Sequence, residues 1–129
     1  TAVRNARLNA IETTVGTSAV LKIRTGAAPA NCAAADSGTV LATINCDSDW
    51  ASAASGGAKA FLGTWSDTSA DNGGTALHFR LYASDGTTCH MQGTVTATGN
   101  GGDLTLDTTA VVAAQTVTIT AYTLTDANA

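Results

Sequence analysis

Charge is scarce in this chain. Only 12% of its 129 residues are Asp, Glu, Lys or Arg, about half the usual share. Six Lys and Arg stand against ten acids, for a net charge of −4. So few cations cannot neutralise a run of phosphates, and no nucleic-acid partner is expected. Glutamate occurs once, at Glu12, which excludes an acid–base mechanism built on two glutamates. No stretch approaches the run of about 18 apolar residues that a membrane span requires, so no membrane partner is expected either. The N-terminus lacks the short apolar run and cleavage pattern of a retained signal peptide. Proline appears once and aromatics reach 5%, yet hydrophobic residues make up 44%, which argues for a folded chain over a disordered one.

What is abundant is small. Alanine supplies 26 residues, threonine 23 and glycine 13. The length suits a single domain with one modest core. Residues 1–16 read as a helix, because Leu8, Ile11 and Val15 recur at the spacing of one helical face and Gly16 is a natural stop. Residues 17–129 read as strands. Leu21 and Ile23 alternate with Val20, Lys22 and Arg24, and a polar loop over 26–37 contains the single proline, Pro29. Further strands are expected over 39–46, 59–65, 76–82, 88–97, around Leu104 and Leu106, and over 115–124. In the 76–82 strand, Leu77, Phe79 and Leu81 face the core and His78, Arg80 and Tyr82 face outward. In the next strand Cys89, Met91, Gly93, Val95 and Ala97 face inward, and the Ser84-Asp85-Gly86 turn joins the two as a hairpin. The fold class is therefore mainly β: an antiparallel β-sandwich of about seven strands, immunoglobulin-like or jelly-roll-like, with a short N-terminal helix.

Candidate chemistry is thin. His78 and His90 fall on outward faces of paired strands and could share a metal, but further ligands are missing beside them. Asp47 and Asp49 flank Ser48 without the acidic alternation of a calcium loop. No Gly-x-Ser-x-Gly elbow occurs, and the two histidines are the only candidate bases. The glycine-rich run 99–102 lacks the Lys-Ser or Lys-Thr continuation of a phosphate loop and reads as a hairpin turn. Trp50 and Trp65, with Phe61 and Tyr82, offer an aromatic platform for a sugar or a partner, with core packing as the default. No cofactor, no metal and no catalytic residue is expected.

The three cysteines, Cys32, Cys46 and Cys89, are the most informative residues. One internal bond leaves one thiol free, buried or available to another subunit, and three pairings are open. Cys32 with Cys89 is the first choice, since both sit near loop ends and their bond would staple the long first loop to the hairpin. Reduction of all three stands beside it, because Cys is commonly buried and the sequence fixes no redox compartment.

Four segments carry a resemblance: RNARLNAIETTVGTSAVLKIRTG, APANCAAADSGTVLATI, HFRLYASDGTTCHMQGTV and QTVTITAYTLTDANA. Together they cover nearly the whole chain. It resembles a family of small virion-associated proteins from the structural gene clusters of tailed bacteriophages and prophages. The resemblance implies a noncatalytic virion protein, first a capsid decoration or minor capsid protein of cementing type, alternatively a neck, collar or tail component. Implied partners are further copies of itself and other virion proteins such as the major capsid protein, with assembly in the bacterial host cytoplasm. A host-surface binding module, displaying loops to a glycan or protein, is the reading from a different class.

Overall fold

The computed structural model describes residues 1–126, so residues 127–129 of the expected 17–129 domain lie outside that range. Helix α1 (Ala2–Val15) ends where expected: Gly16 takes φ 86° and its N–H donates to Glu12 O at 2.9 Å. A positive φ is costly for any residue with a Cβ, which is why the helix stops at glycine. The strands are β1 (Val20–Thr25), β2 (Val40–Asn45), β3 (Ala58–Ala60), β4 (Ser66–Asp67), β5 (Gly74–Tyr82), β6 (Cys89–Ala97), β7 (Leu104–Leu106), β8 (Ala110–Val111) and β9 (Val117–Thr125). Their order in the sheet is β2-β1-β5-β6-β7-β9-β3, with β4 also on β9 and β8 also on β5.

The sheet curls into a half-barrel, a sandwich-like, mainly β arrangement. Nine strands form in place of seven because β4 and β8 are two residues each, too short to show a period in sequence. The expected 59–65 strand shrinks to β3, and Phe61 keeps only an isolated bridge to Ala51. The curl brings β2 toward β4, where the Asp67 carboxylate accepts the Thr43 N–H at 3.0 Å.

The glycine-rich run does not make an antiparallel hairpin. β7 runs parallel to β6, pairing Val95 with Leu104 and Ala97 with Leu106. Parallel neighbours ordinarily need a crossover of about a dozen residues. Here residues 98–103 double back sharply, with Gly99 at φ 85° and Gly101 at φ 81°. Gly102 lies so close to Thr96 that a Cβ would sit 2.7 Å from its Oγ1.

The core fills the concave side. Leu21 and Ile23 of β1, Phe79 and Leu81 of β5, Leu104 and Leu106 of β7, and Val117 and Ile119 of β9 are all buried there. Five aromatics meet at its centre: Trp65 lies 6.2 Å from Trp50, 5.1 Å from Phe61 and 5.6 Å from Tyr122, and Phe79 meets Tyr122 edge-on at 5.3 Å. Withdrawing two indoles from water contributes about 10 kcal/mol by area, before ordering costs. Trp50 Nε1 donates to Gly16 O at 2.9 Å, tying the end of α1 to this cluster.

Two expected faces are corrected. His78, Arg80 and Tyr82 do not face solvent: each is 1% exposed or less, whereas Leu77 of the supposed core face is 50% exposed. The loop between β1 and β2 lies over the convex side of β5 and buries it. Cys89 does not face inward with Met91. The β5–β6 register shifts between Leu81 and Tyr82, so Met91 pairs with Leu81 but Cys89 pairs with Tyr82. The extra residue, His90, turns Cys89 onto the convex face.

Candidate functional site

The chemically rich residues gather on that convex face. β1 contributes Lys22 and Arg24, β5 contributes His78, Arg80 and Tyr82, and β6 contributes Gln92. The register sets Arg24 opposite His78, Lys22 opposite Arg80, and Arg80 opposite Gln92. Directly opposed residues of an antiparallel pair point to the same side, so strict alternation along three strands builds one cationic layer.

The loop over residues 26–39 covers this layer and supplies its acceptors. Asp36 accepts from Arg24 Nη2 at 2.9 Å, from Tyr82 Oη at 2.8 Å, and from Arg80 Nη1. Arg80 also donates to Asn31 O at 3.0 Å and Ala34 O at 3.2 Å. His78 Nδ1 lies 2.6 Å from Gly26 O, a carbonyl that can only accept, so the proton sits on Nδ1. Lys22 Nζ donates to Gly86 O at 2.9 Å and rests 4.9 Å over the Tyr82 ring. The Cys32–Cys89 disulfide closes the layer, with Cα atoms 5.3 Å apart.

Burial raises the Asp36 carboxyl, but the Tyr82 hydroxyl and the Arg80 and Arg24 guanidiniums outweigh it, and the group is held below the ordinary carboxylate value. Tyr82 is pushed up, first by burial and then by the Asp36 carboxylate it donates to. Beneath the loop, Arg24 Nε, Arg80 Nε, His78 Nε2 and Gln92 Oε1 are buried without a partner. The two Nε atoms are donors and the other two are acceptors, and Asp36 is the carboxylate that binds both guanidiniums.

A second polar contact fixes the helix. Lys59 Nζ, its side chain 1% exposed, donates to Glu12 Oε2 at 2.6 Å, Ser52 O at 2.6 Å and Asn9 Oδ1 at 3.2 Å. Asn5 Oδ1 accepts Gly57 N–H at 2.9 Å, and Arg7 pairs with Asp126. Only Leu8 and Val15 of α1 are buried, so polar anchoring supplements a narrow apolar stripe.

The structure distributes the sequence candidates widely. Cys32 and Cys89 join, the first-choice pairing, and Cys46 is a buried free thiol pushed up to about 12 by burial and by Asp47. His78 pairs in register with Thr94, while His90 occupies the bulge beside α1, so the two do not meet. Among the described residues no three His, Cys, Asp or Glu side chains gather as a metal site. Trp50 and Trp65 are each 1% exposed and form no surface platform. Asp49 lines a groove of about 510 Å³ with Asn9, Glu12 and Thr13, and Asp47 lies against Gly63. Sequence reasoning missed Asp36, although it is the only acid in a loop that follows a strand with alternating cations.

No family model, curated protein or solved structure matches the chain.

Proposed function

We propose that the chain is a noncatalytic structural protein of a tailed-bacteriophage virion, a capsid decoration or minor capsid protein of cementing type. The observation that carries this reading is the use made of its reactive side chains. Arg24, Arg80, Asp36, Tyr82 and the Cys32–Cys89 disulfide all fasten one loop to the sheet, and Lys59 and Glu12 fasten the helix. Groups that elsewhere do chemistry here hold a small barrel rigid, and rigidity is what repeated packing on a shell demands. The resemblance of the four sequence segments supplies the phage context. Partners are further copies of the chain and neighbouring virion proteins such as the major capsid protein.

The test is mass spectrometry of purified particles from a host that encodes the chain, followed by cryo-electron microscopy. Multi-copy stoichiometry and density for the half-barrel on the shell are the expected result. Density at the neck, collar or tail instead would move the protein to that position, and absence from the particle would overturn the reading.

A further inference from the structure

Strands β6 and β9 are nine residues each, but β7, which lies between them, is three. β7 pairs with Val95–Ala97 on one side and reaches from Ile119 to Tyr122 on the other. At its start Asp103 takes over with its side chain: Oδ2 accepts the Thr94 N–H at 2.9 Å, and Asp103 N donates to Thr94 Oγ1 at 3.1 Å. Beyond that point nothing follows. Among the described residues, β6 over 89–93 has no strand partner on the side away from β5, and β9 over 123–125 has none on the side away from β3.

The two strands at the ends of the sheet order, β2 and β3, are blocked. On β2, Asp67 accepts from Thr43 N, Asn72 Nδ2 donates to Val40 O, and Asp71 N donates to Leu41 O. On β3, Ser52 exchanges hydrogen bonds with Ala60 through both its backbone N–H and its hydroxyl. Such blocking is how soluble sheets avoid unwanted strand addition. The β6–β9 seam lacks it.

The seam is also a cleft of about 260 Å³, lined by Phe79, Met91, Tyr122 and Leu124 with Asp103 at its side. It adjoins, at Met91, an opening of about 400 Å³ beside Ile11 and His90. Tyr122 is 4% exposed, and its buried hydroxyl has no hydrogen-bond partner.

We propose that the β6–β9 seam accepts an extended peptide strand donated by another protein. Facing strand edges match the alternating N–H and C=O groups of an extended backbone, and the cleft takes its inward apolar side chains. The donor is another protein because, among the described residues, the long irregular segments are already engaged. Residues 26–39 are pinned by Asp36 and the disulfide, and residues 47–57 by α1 and Lys59. The assignment does not depend on the virion reading.

The test uses isotope-labelled full-length protein and four end-capped peptides, Lys-Thr-X-Thr-X-Thr-Lys with X as Val, Ile, Leu or Phe. Amide exchange over 89–93 and 123–125 is expected to slow about tenfold with at least one peptide, as new main-chain hydrogen bonds protect those edges. N-methylation at both X positions removes the protection while keeping the side chains. Met91→Arg, at a half-buried position, blocks the cleft and removes it while cooperative unfolding persists. No slowing at either edge by any of the four peptides at millimolar concentration, or equal slowing by the N-methylated form, overturns the proposal. Slowing that grows with protein concentration in the absence of peptide makes a second copy the donor and overturns the assignment to another protein.

Discussion

The hydroxyl of Tyr82 donates to Oδ1 of Asp36 across a sequence distance of 46 residues, at 2.8 Å. That contact joins the middle of the sheet to the loop that covers it. The same carboxylate bridges two guanidiniums from different strands, so three elements depend on one side chain.

Asp36→Asn is therefore expected to destabilise the fold by about 1–3 kcal/mol. Breaking a fully buried pair costs more, but the Asp36 side chain is 39% exposed, and water screens part of the loss. Because the native carboxyl titrates below its ordinary value of 3.8, its contribution is complete above that pH and is lost as pH falls through the native value. Asp85, held low by the Thr88 hydroxyl and the Thr88 and Thr87 amides, adds to the same acid limb. Urea unfolding midpoints recorded below about pH 4 should fall more steeply for the unsubstituted protein than for Asp36→Asn.

Reduction of Cys32–Cys89, or the double change Cys32→Ser with Cys89→Ser, is expected to cost about 2–4 kcal/mol. The bond spans 57 residues, a loop for which chain entropy alone predicts about 4 kcal/mol, with measured effects often smaller. Urea titrations with and without a phosphine reductant give the value. Intact mass should rise by two hydrogens on reduction, and an unchanged mass would show that the bond had not formed.

Cys46 should resist alkylation. Its native thiol ionises near pH 12 and is buried, so iodoacetamide at pH 8 is expected to label it only after unfolding. Above about pH 9 the unfolded chain loses this proton while the native chain keeps it, which lowers stability as pH rises. Labelling the reduced and the oxidised protein with and without urea, followed by peptide mapping, checks the first point, and urea midpoints on either side of about pH 9 check the second.

Lys59→Ala should release α1. The change leaves Glu12, Asn9 and the Ser52 carbonyl without their shared donor, at a cost of about 2–4 kcal/mol. Hydrogen exchange at the helix amides should quicken more than at β1 and β5, since Lys59 anchors the helix to the barrel wall.

How much of this was legible in the sequence depends on the range of the cause. The stop at Gly16 and the alternation over 115–124 are local, and both appear in the structure close to where periodicity placed them. Of the three pairings that the sequence leaves open, the structure forms the first choice, Cys32–Cys89, whose two residues read as near loop ends. What periodicity hides is set elsewhere in the chain. Alternation over 76–82 marks two faces but cannot tell that residues 26–39 fold over the polar one, because polar side chains read as solvent-facing until their cover is known. The bulge at His90 shifts Cys89 by one residue, invisible to a period of two. The parallel entry of β7 rests on backbone angles at Gly99 and Gly101 that resemble those of any tight turn.

The placement of β9 has a further meaning for how the chain comes off the ribosome. The neighbours β2, β1, β5 and β6 are all present once residue 97 has emerged, and their ladders can form then. β3 and β4 must wait for their strand partner β9, the last of these strands to be made, and β7 gains its second neighbour only then. Until Tyr122 arrives, Trp50, Phe61 and Trp65 lack one wall of their cluster, so the nascent chain presents an aromatic surface that the finished protein conceals. Slowing translation between residues 97 and 117 would lengthen that exposure.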